Sequence, residues 1–338
     1  MHILIVRVSS LGDVVHNMPM VADILRHHPD AHIDWVVEES YASLVRLNPG
    51  VRKIIPFALR RWRKSLHLAQ TRAEMRAFYH SLRAEAYDVV LDTQGLFKTG
   101  LVMRMARLAP NGRRAGLANA TEGSGYESIS RVFHTMSVPV GLRTHAVMRA
   151  RLVAAAALGY TVNQPADFNL QAPDASHAAW LPARPYAVFF HATARAAKGW
   201  NNASWLRVAH MLNARGMPVL LPWGSEAERQ AAQGLAAQMQ NAEVLPKLSM
   251  MDAVLLAQRA SLVIGVDTGL THIAAACNRP TIELYCDSPR WKTEGNWSPN
   301  IINLGDCGAS PDVAEVEAAV TTLLAGTGGS AAAGTATA

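Results

Sequence analysis

The stretch Leu262–Ala276 ends an apolar run at Asp267 and turns through Thr268-Gly269 into a helical pattern carrying Thr271 and His272. A helix entered this way presents backbone N–H groups without intrahelical partners, together with the positive end of its dipole, and therefore suits an anion. Gly269 lets the backbone approach a phosphate closely, while Thr268 and Thr271 add hydroxyls. An ordinary capped turn with a solvated Asp267 has the same sequence, so the turn alone does not choose between structure and chemistry.

Other strand ends carry polar groups as well. The first apolar run leads into Arg7-Val8-Ser9-Ser10-Leu11-Gly12-Asp13-Val14-Val15-His16, where Asp13 can accept a proton from a hydroxyl nucleophile or simply cap a helix. That turn lacks both G-x-G-x-x-G and the P-loop pattern, so the N-terminal half holds no obvious nucleotide cradle. Arg60-Arg61-Trp62-Arg63-Lys64 is the densest basic run. It suits a ligand with several carboxylates or phosphates, because guanidinium groups bind these bidentately; a solvated helix face is the plain alternative. In the C-terminal half, Thr193 and Lys198 follow a strand and can meet a phosphate. Glu226 and Glu228 follow another, placed either to hold ribose hydroxyls or to favour a helix N-terminus. Three strand ends bearing polar groups in one half are more specific than any one of them.

The elements that position these residues alternate. Ile3–Val8, Ile33–Val37 and Val89–Asp92 read as strands, whereas Met20–His28, Arg72–Ala84 and Ala146–Leu158 carry helical spacing. A second series follows: strands at Tyr186–His191 and Pro218–Pro222, and helices through Ser204–Arg215 and Glu226–Met239. The pattern predicts an α/β protein with parallel sheets in two doubly wound lobes, residues 1–165 and 174–324, joined near Gln164–Pro173. Ligands would sit beyond the carboxyl ends of the strands, in a cleft between facing lobes. A last helix is expected over Pro311–Leu324, and residues 325–338, rich in Gly, Ala, Ser and Thr, read as a disordered tail.

Composition narrows the classes. Half of the 338 residues are hydrophobic and the formal charge is +6, which favours an anionic partner without identifying it. No recognised nucleic-acid module accompanies the basic run, so a nucleic-acid partner is not expected. Cys277, Cys286 and Cys307 have no paired metal spacing, no acidic metal-binding cluster is evident, and no metal is expected. No apolar run approaches the roughly 20 residues that span a bilayer. Met1 leads into strand-like His2–Val6 rather than a secretory leader, so the reading is a soluble cytoplasmic protein.

Taken together, these segments resemble the bacterial lipopolysaccharide heptosyltransferases over nearly the whole chain except the tail. The resemblance rests on Ser9–His16, Asp34–Glu39, Ile55-Pro56 with Arg60–Lys64, Asp92–Lys98, His191-Ala192-Thr193, Leu221–Gly224, Val244–Lys247 and Val266–His272. It implies a GT-B glycosyltransferase of two Rossmann-like lobes, metal-independent, without a cofactor and inverting at the transferred carbon. The implied donor is ADP-L-glycero-β-D-manno-heptose, a co-substrate, and the implied acceptor is the first Kdo of Kdo2-lipid A at the cytoplasmic face of the inner membrane. Asp13 matches the family's base. Thr193, Lys198, Glu228, Leu248, Asp267, Thr268, Gly269 and His272 match donor positions, and Ser10, Gly12, Arg60, Arg61, Arg63, Lys64 and Lys98 match acceptor positions. The chain departs from the family at Ala194, where a second hydroxyl is common, and at Ala196 and Ala197, where acidic residues are usual. The basic run points to addition of the first heptose. Addition of the second heptose, or non-catalytic binding of a nucleotide or anionic surface, are the alternatives.

Overall fold

The computed structural model describes residues 1–328, which divide into two compact units, Met1–Gln171 and Ala172 onward. In the first, strands β1 (His2–Val6), β2 (His32–Glu38), β3 (Val51–Phe57), β4 (Tyr87–Asp92), β5 (Leu108–Leu117) and β6 (Met136–Val138) form one parallel sheet in the order β3-β2-β1-β4-β5-β6. Its helices are α1 (Leu11–His27), α2 (Ala42–Arg46), α3 (Leu59–Trp62), α4 (Ala69–Arg83), α5 (Phe97–Met105) and α6 (Ala146–Leu158). In the second unit, β7 (Ala187–Phe190), β8 (Val219–Leu221), β9 (Ala242–Val244), β10 (Leu262–Val266), β11 (Thr281–Tyr285) and β12 (Ile301–Gly305) pair in parallel as β12-β11-β10-β7-β8-β9. Helices α7 (Asn202–Ala214), α8 (Glu226–Ala236), α9 (Met250–Arg259), α10 (Gly269–Ala276) and α11 (Val313–Gly328) complete it.

Both sheets have the same doubly wound order, and each reverses direction of winding once. The reversal lies between β1 and β4 in the first unit and between β7 and β10 in the second. The turn bearing Asp13 leaves β1 and the turn bearing Asp267 leaves β10, so each stands beside a topological switch point, where such sheets leave room for a ligand.

The buried strands explain the two cores. β1 contributes Leu4 and Val6, β2 Val36, β3 Ile55 and Phe57, and β4 Val90 to one face of the first sheet, where Trp62, Phe78, Leu82, Val102 and Met103 from α3, α4 and α5 cover them. In the second unit Phe189, Ile264 and Ile282 pack against Trp205, Val208, Leu212, Val316 and Val320. Gly265 in β10 is required by a close approach: a Cβ there would run into the Thr271 side chain and meet Phe190 Cβ at 3.0 Å.

Two expectations change. Helix α1 begins at Leu11, nine residues before the helical spacing at Met20, and carries Pro19 inside it. Burial of Val14, Val15, Met18, Met20 and Val21 outweighs the roughly 3 kcal/mol that an interior proline costs. At the other end, residues 325–328 are not a disordered tail but the last turn of α11, continued by Ala325, the best helix former. Residues 329–338 of the expected tail lie outside the described residues.

Candidate active site

In the first unit, Ser10 caps α1 and Gly12 and Asp13 occupy its first turn. The Ser10 backbone N–H and hydroxyl both donate to Asp13 Oδ2 at 2.9 Å. Arg7, at the exit of β1, places a guanidinium nitrogen 2.6 Å from Asp13 Oδ1 and donates through another to the Thr93 carbonyl at 2.6 Å. Arg7 is buried, while the Asp13 side chain stays one-third exposed, at 33%. Burial opposes the Asp13 charge, but Arg7 and the Ser10 N–H, helped by His16, outweigh it and hold the carboxyl well below the usual carboxylate range. Asp13 is therefore neither a bare helix cap nor a solvated acid. It is a fixed carboxylate at the mouth of the first sheet.

A second layer supports this turn. Gln94 Oε1 accepts the Val8 N–H at 3.0 Å, and Thr93 donates to Asn17 Oδ1, whose amide donates to the Asp13 carbonyl. Asp92, fully buried at the end of β4, accepts the N–H groups of Gln94 and Gly95 and the Thr99 hydroxyl. Burial raises its pKa to about 6 against these bonds. Arg149 on α6, also buried, donates to the Thr121 hydroxyl at 2.6 Å; burial and the neighbouring Arg7 lower its pKa to about 10, with Asp13 acting the other way.

The basic run separates into different surroundings. Arg60, in α3, and Lys98, in α5, both face Glu38. Burial lowers the Lys98 pKa, Arg60 adds to that and Glu38 opposes it. These two cations belong to the field that includes Arg7. Arg61 turns elsewhere: it forms two bonds to Glu39, at 2.9 and 3.0 Å, and one of 2.7 Å to Glu74, which also accepts the Trp62 indole N–H. Arg63 and Lys64 are exposed just beyond α3.

The second unit holds a continuous chain of charges. Asp267 Oδ2 accepts from Lys198 Nζ at 2.6 Å, and Oδ1 accepts from His272 Nε2 at 3.0 Å and from the Thr293 hydroxyl at 3.3 Å. His272 Nδ1 in turn meets Glu283 Oε1 at 2.8 Å; Glu283 Oε2 accepts the Tyr285 hydroxyl at 2.9 Å and the Gly295 N–H at 2.8 Å. Burial disfavours charge on His272, yet Glu283 and Asp267 overcome it and raise its pKa to about 10, so both ring nitrogens carry protons at neutral pH. Burial likewise opposes the Asp267 charge, and His272 with Lys198 drives its pKa far below the ordinary value. The four groups balance as two cations and two anions. Lys198 is the most exposed of them, at 22%, and is the one an incoming anion can draw away.

Thr268 caps α10 in an extended conformation and makes no side-chain capping bond, and Gly269 is the first helical residue, so no capping side chain satisfies the first N–H groups of this helix, the groups an anion cradle uses. Thr271 does not contribute its hydroxyl there: it is buried and donates to the Val266 carbonyl at 2.8 Å. Thr193 is half-buried in the loop after β7, and its Oγ1 accepts the Arg195 N–H at 3.4 Å. Glu228 forms a capping box on α8, its Oε2 accepting the N–H groups of Gly224 and Ser225 at 2.7 and 3.1 Å. Leu248 is half-buried in the loop ahead of α9. Among the described residues no group of three or more His, Cys, Asp and Glu side chains is arranged to hold a metal ion.

Sequence reasoning did not single out Arg7, Arg149, Glu283 or Tyr285 for chemistry. Glu283 had a local signal, a carboxylate inside the otherwise unbroken strand Thr281-Ile-Glu-Leu-Tyr285, where an unpaired charge is costly.

Two doubly wound units, each carrying a polar constellation at its switch point, define the GT-B class of glycosyltransferases. Comparison with known proteins narrows the class. The model of glycosyltransferase family 9 (heptosyltransferase) matches residues 75–321, and the chain belongs to that family. It is 39% identical to lipopolysaccharide heptosyltransferase 1 of Pseudomonas aeruginosa over 286 residues, 84% of this chain and 78% of that one. Identity to lipopolysaccharide heptosyltransferase 1 of Escherichia coli K12 is 37%, covering 84% and 88% of the two chains, against 26% for heptosyltransferase 2 of the same strain. The structure of E. coli heptosyltransferase WaaC with ADP superposes with a TM-score of 0.82 at 32% identity, over 96% of this chain and 100% of that one.

Proposed function

We propose that this protein transfers heptose from ADP-L-glycero-β-D-manno-heptose to the first Kdo of Kdo2-lipid A, building the lipopolysaccharide inner core, with inversion and without a metal or cofactor. The observation that carries the reading is the ionised Asp13 carboxylate, held by Arg7 and Ser10 at one switch point, while the other switch point offers Lys198 and the N-terminus of α10. The higher identity to type 1 than to type 2 relatives favours the first heptose over the second.

In the reaction the acceptor hydroxyl attacks the anomeric carbon. Its O–H bond breaks with the proton passing to Asp13, the new C–O bond forms, and the bond from the anomeric carbon to the phosphate oxygen breaks with its electron pair leaving on ADP. Asp13 is ionised throughout the physiological range, which guarantees an acceptor for the proton, although so acidic a group is a weak base until the hydroxyl acidifies in the transition state. Charge growing on the diphosphate is met by Lys198 and by the N–H groups at Thr268 and Gly269, donors already in place. Thr193, Glu228, Leu248 and His272 complete the donor side, and Ser10, Gly12, Arg60, Arg63, Lys64 and Lys98 the acceptor side. Arg61 joins them only by leaving its two carboxylates. No nucleic acid takes part. The protein works in the cytoplasm, peripherally at the inner membrane where the acceptor lies, and among its described residues no helix is long and apolar enough to cross a membrane.

The test is product analysis by mass spectrometry with ADP-heptose and either Kdo2-lipid A or an already heptosylated acceptor. The reading predicts one heptose added to the first acceptor and none to the second. Preference for the heptosylated acceptor, or ADP binding without sugar transfer, contradicts it.

A further inference from the structure

Ten large apolar side chains are exposed among the described residues, and every one lies in the first unit. Eight of them sit on the same side of its sheet. Leu66 (52% exposed) and Leu68 (48%) occupy the loop between α3 and α4, and Met75 and Tyr79 lie one turn apart on α4. Phe97 and Leu101 belong to α5, and Ile129 and Val132 (68%) to the 3₁₀ segment Ser128–Phe133. α3, α4 and α5 send Trp62, Phe78, Leu82, Val102 and Met103 into the same core, with Phe133 packed against it. α4 touches α5, and α5 touches the 3₁₀ segment. These apolar groups thus share one layer.

The same layer is strongly basic. Between Leu59 and Arg83 the chain has seven Arg and Lys residues and one acid, Glu74, which is already bonded to Arg61, Trp62 and Gln70. Arg63, Lys64, Arg72 and Arg76 are exposed. Arg72 donates to the Leu66 and His67 carbonyls, fixing the loop that carries the two leucines. Scattered exposed apolar residues need no explanation, whereas apolar groups interleaved with cations on one face are the pattern of an interfacial surface.

We propose that this face docks on an anionic phospholipid bilayer, with Leu66, Leu68, Met75 and Tyr79 entering the headgroup region and Arg72 and Arg76 meeting lipid phosphates, beside Arg63 and Lys64 of the acceptor side. The proposal deepens the peripheral contact of the function proposed above and rests on that reading for its biological sense, but its test does not require turnover. Charge complementarity selects the partner: a self-associating face would bring the exposed Arg63, Lys64, Arg72 and Arg76 against their own copies, whereas anionic lipid attracts each cation near the surface. Apolar insertion adds a component that salt does not screen.

The experiment is co-sedimentation of the full chain with vesicles of phosphatidylglycerol and phosphatidylcholine, compared with phosphatidylcholine alone. The variants are Leu66→Ser/Leu68→Ser and Met75→Ser/Tyr79→Ser, at exposed positions, with the fold of each checked by circular dichroism. Wild type is expected to bind the anionic vesicles, to keep part of that binding at about 0.5 M NaCl, and to lose about tenfold in partitioning with each double substitution. Transfer to an acceptor lacking acyl chains is expected to be unchanged in both variants. The proposal is overturned by variants that bind as wild type does, by equal binding to neutral vesicles, by complete release in salt, or by a shift from dimer to monomer on substitution, which would make the face a self-interface. Absence of transfer in the wild type together with normal vesicle binding would instead sink the functional reading and leave the docking face standing.

Discussion

Replacing Glu283 by Gln probes the charge chain of the second unit at its deepest point. Glu283 is fully buried and its carboxylate receives His272, the Tyr285 hydroxyl and the Gly295 N–H; glutamine keeps the size and removes the charge. The His272 pKa stands at about 10 against an ordinary 6.5, worth roughly 5 kcal/mol at 1.36 kcal/mol per unit. A raised pKa gives stability that is complete below the unfolded value and is lost as pH rises through the folded one, so the window runs from about pH 6.5 to about pH 10. About half of the contribution disappears between about pH 7 and pH 9. In Glu283→Gln the imidazolium keeps Asp267 as a counter-charge but loses the one on its Nδ1 side. The variant is expected to be about 3–5 kcal/mol less stable near neutral pH, the cost of breaking a buried pair, and to show a much flatter dependence from about pH 7 to pH 9. Nitrogen NMR of the histidine rings reports the protonation directly, and denaturant unfolding followed by tryptophan fluorescence reports the stability. A wild-type His272 that is neutral at about pH 8, or a variant ring still doubly protonated there, refutes the reasoning.

Further outcomes follow from the same geometry. Lys198→Ala removes the exposed cation of the chain, and ADP-heptose should bind about ten- to a hundredfold more weakly by calorimetry, the loss of one charge-assisted bond; unchanged affinity would place the diphosphate elsewhere. Arg7→Met strips Asp13 of its main stabilising charge. Since a depressed carboxyl pKa rises when its cation is lost, the acid limb of the kcat/KM profile should move upward, and an unmoved limb would show that Arg7 does not set the ionisation of the base. Gly265→Ala forces a methyl against Thr271 and Phe190 and should cost about 1–3 kcal/mol in a thermal melt.

The alternation of strands and helices was legible because the central strands are buried on both faces and read as short β-branched runs, as in Ile3–Val6 and Leu262–Val266. β5 was not, since Leu108-Ala-Pro-Asn-Gly-Arg-Arg-Ala-Gly-Leu117 mixes Pro, Gly and charge, and its strand character comes from pairing with β4 and β6. The true start of α1 was hidden by Pro19, whose local penalty is overridden by tertiary packing. Among the candidate site residues, Asp13, Lys198 and Asp267 could be picked out because they follow strand ends, whereas His272 entered only through the family resemblance. What the sequence could not reveal was pairing across distance: Arg7 to Thr93, Lys198 to Asp267, and Glu283 to His272 join separate elements. Arg61 shows the converse, a cation in a promising run that folding commits to Glu39 and Glu74.

The central claim is that Asp13 takes the proton in heptosyl transfer. The measurement that bears on it most directly is turnover of Asp13→Asn with ADP-heptose and Kdo2-lipid A, with ADP-heptose affinity measured on the same preparation. A fall in kcat of about 10²- to 10⁴-fold with donor affinity unchanged is the predicted result. Near-normal turnover by the folded variant would contradict it.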